Sequence, residues 1–401
     1  VTSIVIAGAG QAGARAAEAM RGAAFAGTIT LVGREPHLPY ERPQLSKELL
    51  LGTRDEAEPI KSAAAWGELG IDLVLGKEVV DFDRFGRLAR LSDGSALPCD
   101  RLLIATGTRP RRLPFLEGGP LPVHYLRTIE DSDAIRRALV AKARLAIIGG
   151  GVIGLEAAAA AAQAGCAVTV IEAAPSLLGR ALPALASDFL KSRHQAHGVA
   201  FRLGVTPEGV DRDGLVLADG SRVAADAILV GIGVEPETAL AERLGLATAD
   251  RIEIDHYGGT TDQTIFAAGD VALQFSPWHG RRLRIETWAN AQDQAIATAR
   301  SVVGLKAPYD NPPWFWSDQY DINLQVVGDP LGPDPILRGD PAAGRFSLIV
   351  LRDGRINGAV VINAPRDMAM LRRLTASRAA VARSDLADPA FDLRRALAAK
   401  P

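Results

Sequence analysis

Twice along this chain a short β-branched run breaks into Gly-x-Gly-x-x-Gly and then into an alanine-rich stretch of helical pattern. No other feature constrains the fold as much. The first copy lies in SIVIAGAGQAGARAAEAMRG: a strand at Ile4–Ala7 leads into Gly8, Gly10, Ala12 and Gly13, and TITLV follows as a second strand. The second lies in RLAIIGGGVIGLEAAAAAAQAGCAVTVIEAAP: strand Leu145–Ile148, then Gly149, Gly151, Ile153 and Gly154, a helix through Ala164, and strand Val168–Ile171. In such a unit the first glycine permits a tight turn and the second lets backbone approach a pyrophosphate. The third lets helix pack closely on sheet, and the helix N-terminus offers N–H donors to anionic oxygens. A lone fingerprint also occurs as a structural turn without a ligand. Two in one chain, each correctly flanked, predict an α/β protein with two Rossmann-like dinucleotide-binding domains.

The residue closing each second strand carries the next clue. Glu172 ends the strand of the second unit. A carboxylate there can accept ribose hydroxyls and would repel a 2′-phosphate, which favours NADH over NADPH. Arg180, a little further on, reads as surface or pyrophosphate-facing rather than as a phosphate clamp. In the first unit Glu35 follows Gly13 at about the expected twenty residues. RLLIATGTRP (Arg101–Pro110) reads as a buried strand ending in Ala105, Thr106 and Gly107 before a crossover. AILVGIGVEPET (Ala227–Thr238), through Gly233, reads as the return crossing, and TIFAAGDVA (Thr264–Ala272) as a strand stopping at Gly269-Asp270.

With 401 residues the chain exceeds one ordinary core, so two or three domains are expected. Hydrophobic residues at 48% and charged residues at 23% suit a water-soluble globular protein. A formal net charge of −2 without long runs of one sign gives no support to a nucleic-acid or membrane-surface partner. Val1–Ile6 already reads as a buried strand rather than as an export signal, and Leu145–Ile171 is broken by glycines, Glu156 and Gln163. Cys99 and Cys166, far apart, make no disulfide framework, and a reducing cytoplasm is the expected compartment.

Beyond these units the chain resembles the flavoprotein pyridine nucleotide-disulfide reductase superfamily. Within it, the chain is similar to the NADH-dependent ferredoxin reductases that serve bacterial aromatic-ring dioxygenases and haem monooxygenases. The likeness runs through PHLPYERPQLSKELL (Pro36–Leu50), HYLRTIEDS (His124–Ser132), RIETWANAQDQA (Arg284–Ala295) and PWFWSDQY (Pro313–Tyr320). It implies FAD on the Gly8–Gly13 unit and NADH on the second. It implies Lys47 near the flavin ring with Glu156 as its partner, and Arg42, Val79 and Arg127 lining the FAD. It further implies Asp270 on the ribityl chain and Trp288 beside the isoalloxazine. One departure concerns the end of the second strand: the family carries an acidic residue where this chain has Arg34, Glu35 follows immediately, and Arg34 and Glu35 both stay candidates for the FAD ribose contact.

Each role has a plainer alternative. Lys47 in LSKELL is also what a solvated helix lysine looks like, Glu156 what a carboxylate near a helix N-terminus looks like, Asp270 a strand-ending turn and Trp288 a core aromatic. PWFWSDQY reads first as packing at a domain or subunit boundary. Arg109, Arg111 and Arg112, with Arg281, Arg282 and Arg284, form two basic patches that either steer an acidic acceptor or pair locally.

The cysteines select the reaction. Disulfide reductases of the superfamily need a redox thiol pair, and Cys99 and Cys166 are not one, so electrons would leave the flavin directly. The expected activity is NADH:ferredoxin oxidoreduction, with electrons passed singly to a [2Fe–2S] ferredoxin that supplies an oxygenase. Rubredoxin reductase, NADH oxidase and a nicotinamide-sensing flavoprotein are the competing readings; no metal site is expected and a homodimer is left open. The expected domains are FAD-binding at 1–108 and 233–305, NAD-binding at 109–232, and a C-terminal α+β domain at 306–401. There FSLIVLRDGRINGAVVINA predicts a hairpin about Asp353-Gly354, and MAMLRRLTASRA predicts a helix.

Overall fold

The computed structural model describes residues 1–246, 252–306 and 308–398. Contacts divide the chain into two units. One comprises Val1–Arg42, Ala57–Arg109 and Val234–Pro313; the other comprises Pro43–Glu56, Pro110–Gly233 and Trp314–Pro401. Chain crossings therefore fall at Arg109/Pro110 and Gly233/Val234, next to the expected limits of an inserted domain. Two groupings differ from the sequence expectation: Pro43–Glu56 joins the inserted segment, and so does the chain from Trp314 onward.

The first unit is built on a five-stranded parallel sheet. Its order is Ile265–Ala267, Arg101–Ile104, Ser3–Ala7, Thr28–Gly33, Ile71–Leu75. Ser3–Ala7 is completely buried, as befits a central strand covered on both faces. The chain leaves it toward Thr28–Gly33 on one side and later returns to Arg101–Ile104 on the other, so the order reverses there. Such a switch point opens a crevice at the carboxyl ends of the strands, where open α/β sheets bind ligands. The helix Gln11–Gly22 starts at that end and buries Ala12, Ala14, Ala16, Ala17 and Met20 against the sheet.

The second unit repeats the plan and adds a sheet of another kind. A parallel sheet runs Ala200–Leu203, Ala167–Glu172, Arg144–Ile148, Ala227–Val230, Val123–Tyr125, with its reversal at Arg144–Ile148. From Trp314 an antiparallel sheet follows in the order Trp314–Gln319, Ile322–Gly328, Arg355–Ile362, Arg345–Arg352, Ile336–Asp340. The hairpin at Asp353-Gly354 has φ of +52° and +72° at its two central residues, the signs a type I′ turn demands. Both faces of this sheet are covered. The helix Pro365–Ala376 packs Met368, Leu371 and Leu374 on Val327, Ile349 and Val361. On the opposite face Ala186 and Leu190, from the helix Ala184–Ala196, meet Leu324, Val326, Leu348 and Val360. That shared core explains why the C-terminal segment groups with the inserted one.

Candidate functional site

Both fingerprints fold into the same backbone trap. Gly8 sits at φ +117°, and a Cβ there would stand 2.2 Å from the Ala105 carbonyl oxygen; Gly149 sits at φ +112°, 2.4 Å from that of Gly231. A side chain at Gly13 would be driven to 1.9 Å from the Gly8 carbonyl oxygen, and one at Gly154 to 2.1 Å from that of Gly149. Only glycine satisfies these positions. The middle glycines behave in the opposite way. A Cβ at Gly10 would meet nothing within 4 Å, and one at Gly151 only the Gly231 carbonyl oxygen at 4.0 Å. Each is the N-cap of its helix, without a side-chain cap and without an acidic residue in the first turn. The helix N–H groups thus face an open cradle that suits an anionic group. Ile153, in the first turn of the second helix, keeps 39% of its surface exposed beside that cradle.

In the first unit the expected residues gather at the carboxyl end of the sheet. Arg34 turns outward, 62% exposed at its side chain, and pairs with Glu78 at 3.1 Å and Glu237 at 3.2 Å. Glu35 is the more sheltered of the adjacent pair: its carboxylate accepts from the Tyr40 hydroxyl and from Arg42, each at 2.5 Å. Burial works against the Arg42 charge, but Tyr40, Glu35 and Asp270 more than offset it and hold the guanidinium above its ordinary pKa. Val79 is buried at the start of the strand Val79–Asp83, and Ala105 is buried just beyond Arg101–Ile104. Thr106 donates to the Glu237 carbonyl at 2.7 Å, and Gly107 takes φ +70°. Trp288 opens the helix Trp288–Val302, capped by Thr287; turning the Gln11 amide so that its oxygen faces its donor neighbours lets it accept from the Trp288 indole N–H at 3.2 Å.

A buried amide chain escaped sequence reasoning. The Gly269 N–H donates to Gln294 Oε1 at 2.7 Å, Gln294 donates to Gln274, Gln274 to Asn290 at 2.9 Å, and Asn290 to the Ile285 carbonyl at 3.0 Å. It ties the Gly269-Asp270 turn to the helix Trp288–Val302. The available signal was Asn290 and Gln294, one helical turn apart and therefore on one face.

The second unit holds Lys47, Arg127 and Gly233 as well as the second fingerprint. Glu172 accepts from Gly150 N and Ala174 N, both at 2.7 Å, one on each oxygen. Further lone pairs remain on both oxygens. Arg180 is exposed; Arg127 donates its N–H to Asp131 at 2.9 Å; Gly233 takes φ +99° and its carbonyl accepts from Arg111 N at 3.0 Å.

Lys47 and Glu156 come together. Lys47 caps the short helix Glu48–Leu51, with its side chain only 13% exposed, and its Nζ lies 3.3 Å from Glu156 Oε1. The same ammonium is 3.6 Å from Asp318 and 5.0 Å from the centre of the Trp316 ring. Glu156 is buried, accepting from Ser317 at 2.7 Å and from Ser46. Burial pushes its carboxyl above the usual range, and Lys47, Ser317 and Ser46 oppose that push. Lys47 is therefore not the solvated side chain of its plainer reading. The two serines are the members of this cluster that sequence reasoning missed.

The two basic patches are largely compensated. Arg109 pairs with Glu235 at 2.7 Å and Glu237 at 3.0 Å, Arg112 with Glu117 at 3.2 Å, and Arg284 with Glu286 at 2.9 Å, while Arg282 donates to the Ile254 carbonyl at 3.0 Å. Among the described residues no group of three or more His, Cys, Asp or Glu is placed to hold a metal, and no helix is long and apolar enough to cross a membrane. Burial pushes the Cys99 thiol up to about 12 and also raises Cys166. Neither forms an appreciable thiolate at neutral pH. A Cys99→Ala/Cys166→Ala double variant is therefore expected to keep NADH-dependent ferricyanide reduction within about twofold of the parent, and a loss beyond tenfold in folded protein would show a thiol in the electron path.

Two parallel sheets, each with a strand–glycine–helix cradle at its switch point, define a protein with two dinucleotide-binding folds. Residues 2–295 match the pyridine nucleotide-disulphide oxidoreductase model and residues 314–397 match the reductase C-terminal model, and the chain belongs to that family. It is 47% identical to the ferredoxin–NAD(+) reductase component of the p-cumate 2,3-dioxygenase system of Pseudomonas putida, over 98% of each chain. It is 42% identical to the corresponding component of the anthranilate 1,2-dioxygenase system of Burkholderia cepacia, over 97% of this chain and 98% of the relative. Among solved structures it superposes with a TM-score of 0.93 on a chain of the covalent putidaredoxin reductase–putidaredoxin complex, at 36% identity, covering 99% of this chain and 98% of the other.

Proposed function

We propose that this chain is an FAD-dependent NADH:ferredoxin oxidoreductase that delivers electrons singly to a [2Fe–2S] ferredoxin feeding an oxygenase. The observation that carries the reading is the pair of open glycine cradles in one polypeptide. FAD, when bound, supplies the chemistry of accepting hydride from NADH and releasing electrons one at a time. Gly8, Gly10, Ala12 and Gly13 would hold its pyrophosphate, Glu35 with Arg42 would face its ribose end, and Asp270 its ribityl chain. Gly149, Gly151, Ile153 and Gly154 would hold the NADH pyrophosphate, and Glu172 its ribose.

Lys47 supplies fixed positive charge where the family resemblance puts the flavin ring, and Glu156 keeps that cation in place. Two solitary, protonated thiols leave the protein no sulfur relay, which supports direct delivery to an outside one-electron acceptor. They also suit a reducing cytoplasm.

Anaerobic mixing with NADH is expected to bleach the bound flavin, and a [2Fe–2S] ferredoxin is expected to recolour it at two ferredoxins per flavin. Rapid reduction of rubredoxin or a quinone, with no turnover on any [2Fe–2S] ferredoxin, would move the assignment to the neighbouring activities.

A further inference from the structure

The polar surroundings of Glu156 continue past Ser317. Ser317 Oγ accepts from Gln319 Nε2 at 2.9 Å, Gln319 Oε1 lies 2.8 Å from His194 Nε2, and His194 Nδ1 lies 3.1 Å from the Tyr320 hydroxyl. Ser317, Gln319 and His194 are at most 1% exposed, so water cannot substitute for a missing partner. Their polarities then follow one another. A carboxylate only accepts, so Ser317 must donate to Glu156 and must accept from its other neighbour. Gln319 therefore turns its amide nitrogen to Ser317 and its oxygen to His194. His194 must carry its proton on Nε2, which leaves Nδ1 to accept from Tyr320.

The far end of this chain is held under strain. Tyr320 and Asp321 form the two-residue turn between Trp314–Gln319 and Ile322–Gly328, and Tyr320 takes φ +56°, a conformation that bulky residues avoid. Its ring stacks on His197 with centroids 3.7 Å apart and planes within 9°, and Arg193 grips Asp321 at 2.6 Å. A glycine would relax the turn but remove the hydroxyl that faces His194. Retained strain of this kind marks a position fixed by something other than stability.

We propose that Ser317, Gln319 and His194 are positioning residues for the Glu156–Lys47 pair, forming a one-way chain of donors that presents the Glu156 carboxylate to Lys47. The proposal rests on the reading that Lys47 acts at the flavin. None of the three touches Lys47. They act through Glu156 Oε1, the same oxygen that Lys47 approaches.

The test combines a tautomer measurement with transient kinetics on the flavin-loaded protein. In wild-type protein labelled with ¹³C and ¹⁵N, the His194 ring resonances, assigned by through-bond correlation to its backbone, should show a protonated Nε2 and a bare Nδ1 at neutral pH; the opposite tautomer overturns the chain. That measurement needs only the wild-type direction of the chain, so it decides even where a variant folds poorly. Ser317→Ala should slow flavin reduction by NADH about tenfold, and Gln319→Leu or His194→Leu about fivefold, without changing the NADH dissociation constant. His194→Gln, which retains an N–H donor, should recover most of the rate. Wild-type rates in Ser317→Ala and Gln319→Leu, alongside slow Lys47→Met, overturn the proposal alone. A fast Lys47→Met overturns both the proposal and the reading beneath it.

Discussion

Gly10→Val is expected to yield a folded protein without flavin, whereas Gly13→Val is expected not to fold. The two glycines lie in one fingerprint, so the contrast isolates their physical roles. A Cβ at Gly13 would overlap the Gly8 carbonyl at 1.9 Å, and neither atom can retreat without pulling the helix off its strand. Overpacking backbone against backbone exceeds the roughly 1–3 kcal/mol of ordinary core overpacking, and it consumes most of a domain's stability of about 5–15 kcal/mol. At Gly10 the same atom enters empty space, and the backbone, at φ −82° and ψ −166°, accepts any L-residue. A valine there costs the fold little but occupies the path of an anion to the helix N-terminus. Flavin absorbance per protein should fall at least about tenfold, the equivalent of about 1.4 kcal/mol, while circular dichroism remains that of a folded chain. Full flavin content in Gly10→Val would show that the first cradle is not the FAD site. Gly151→Val should give the counterpart: full flavin content with greatly weakened NADH binding.

Lys47→Met carries the second large effect, on rate and on stability. On the proposed placement of Lys47 beside the flavin ring, removing this cation should slow flavin reduction by NADH about a hundredfold. It also strands Glu156, only 3% exposed at its side chain, without its counter-charge. Breaking a buried pair from one side costs about 3–5 kcal/mol unless the survivor takes a proton. Burial already raises the Glu156 carboxyl, and Lys47 opposes that; without Lys47 it rises further. A carboxyl whose folded pKa is raised binds its proton more tightly in the native state than in the unfolded chain. Its stabilising contribution is full below the ordinary glutamate value of about 4.3 and is lost as pH rises through the folded value. Lys47→Met should therefore approach wild-type stability at pH 5 and fall well below it at pH 8, as read by urea midpoints. Glu156→Leu should remove most of the pH dependence, and the Lys47→Met/Glu156→Leu double variant should be more stable at pH 8 than Lys47→Met alone. A pH-independent deficit in Lys47→Met would mean that losing Lys47 does not raise the Glu156 carboxyl.

The local pattern of the chain determined a good deal by itself. Two fingerprints, each after a β-branched run and before an alanine-rich stretch, specify two parallel-sheet units, because only glycine tolerates the turn and the helix contact at Gly8, Gly13, Gly149 and Gly154. The hairpin at Asp353-Gly354 was legible for the same kind of reason, since its two positive φ angles are a property of neighbouring residues. Side-chain partnership across long separations was not legible in spacing or periodicity. Lys47 and Glu156 were paired by family likeness, whereas their pattern alone also suited a solvated lysine and a capping carboxylate. Arg34 and Glu35 stand side by side, and only the tertiary fold turns one outward to Glu78 and Glu237 and the other inward to Tyr40 and Arg42. The fold also gave PWFWSDQY a second role, placing Ser317 on Glu156 and Gln319 on His194 within a run that read as packing. Backbone conformation is set by neighbours in sequence, so a sequence displays it. The ionic state and aim of a buried side chain are set by neighbours in space, and only the folded chain brings those together.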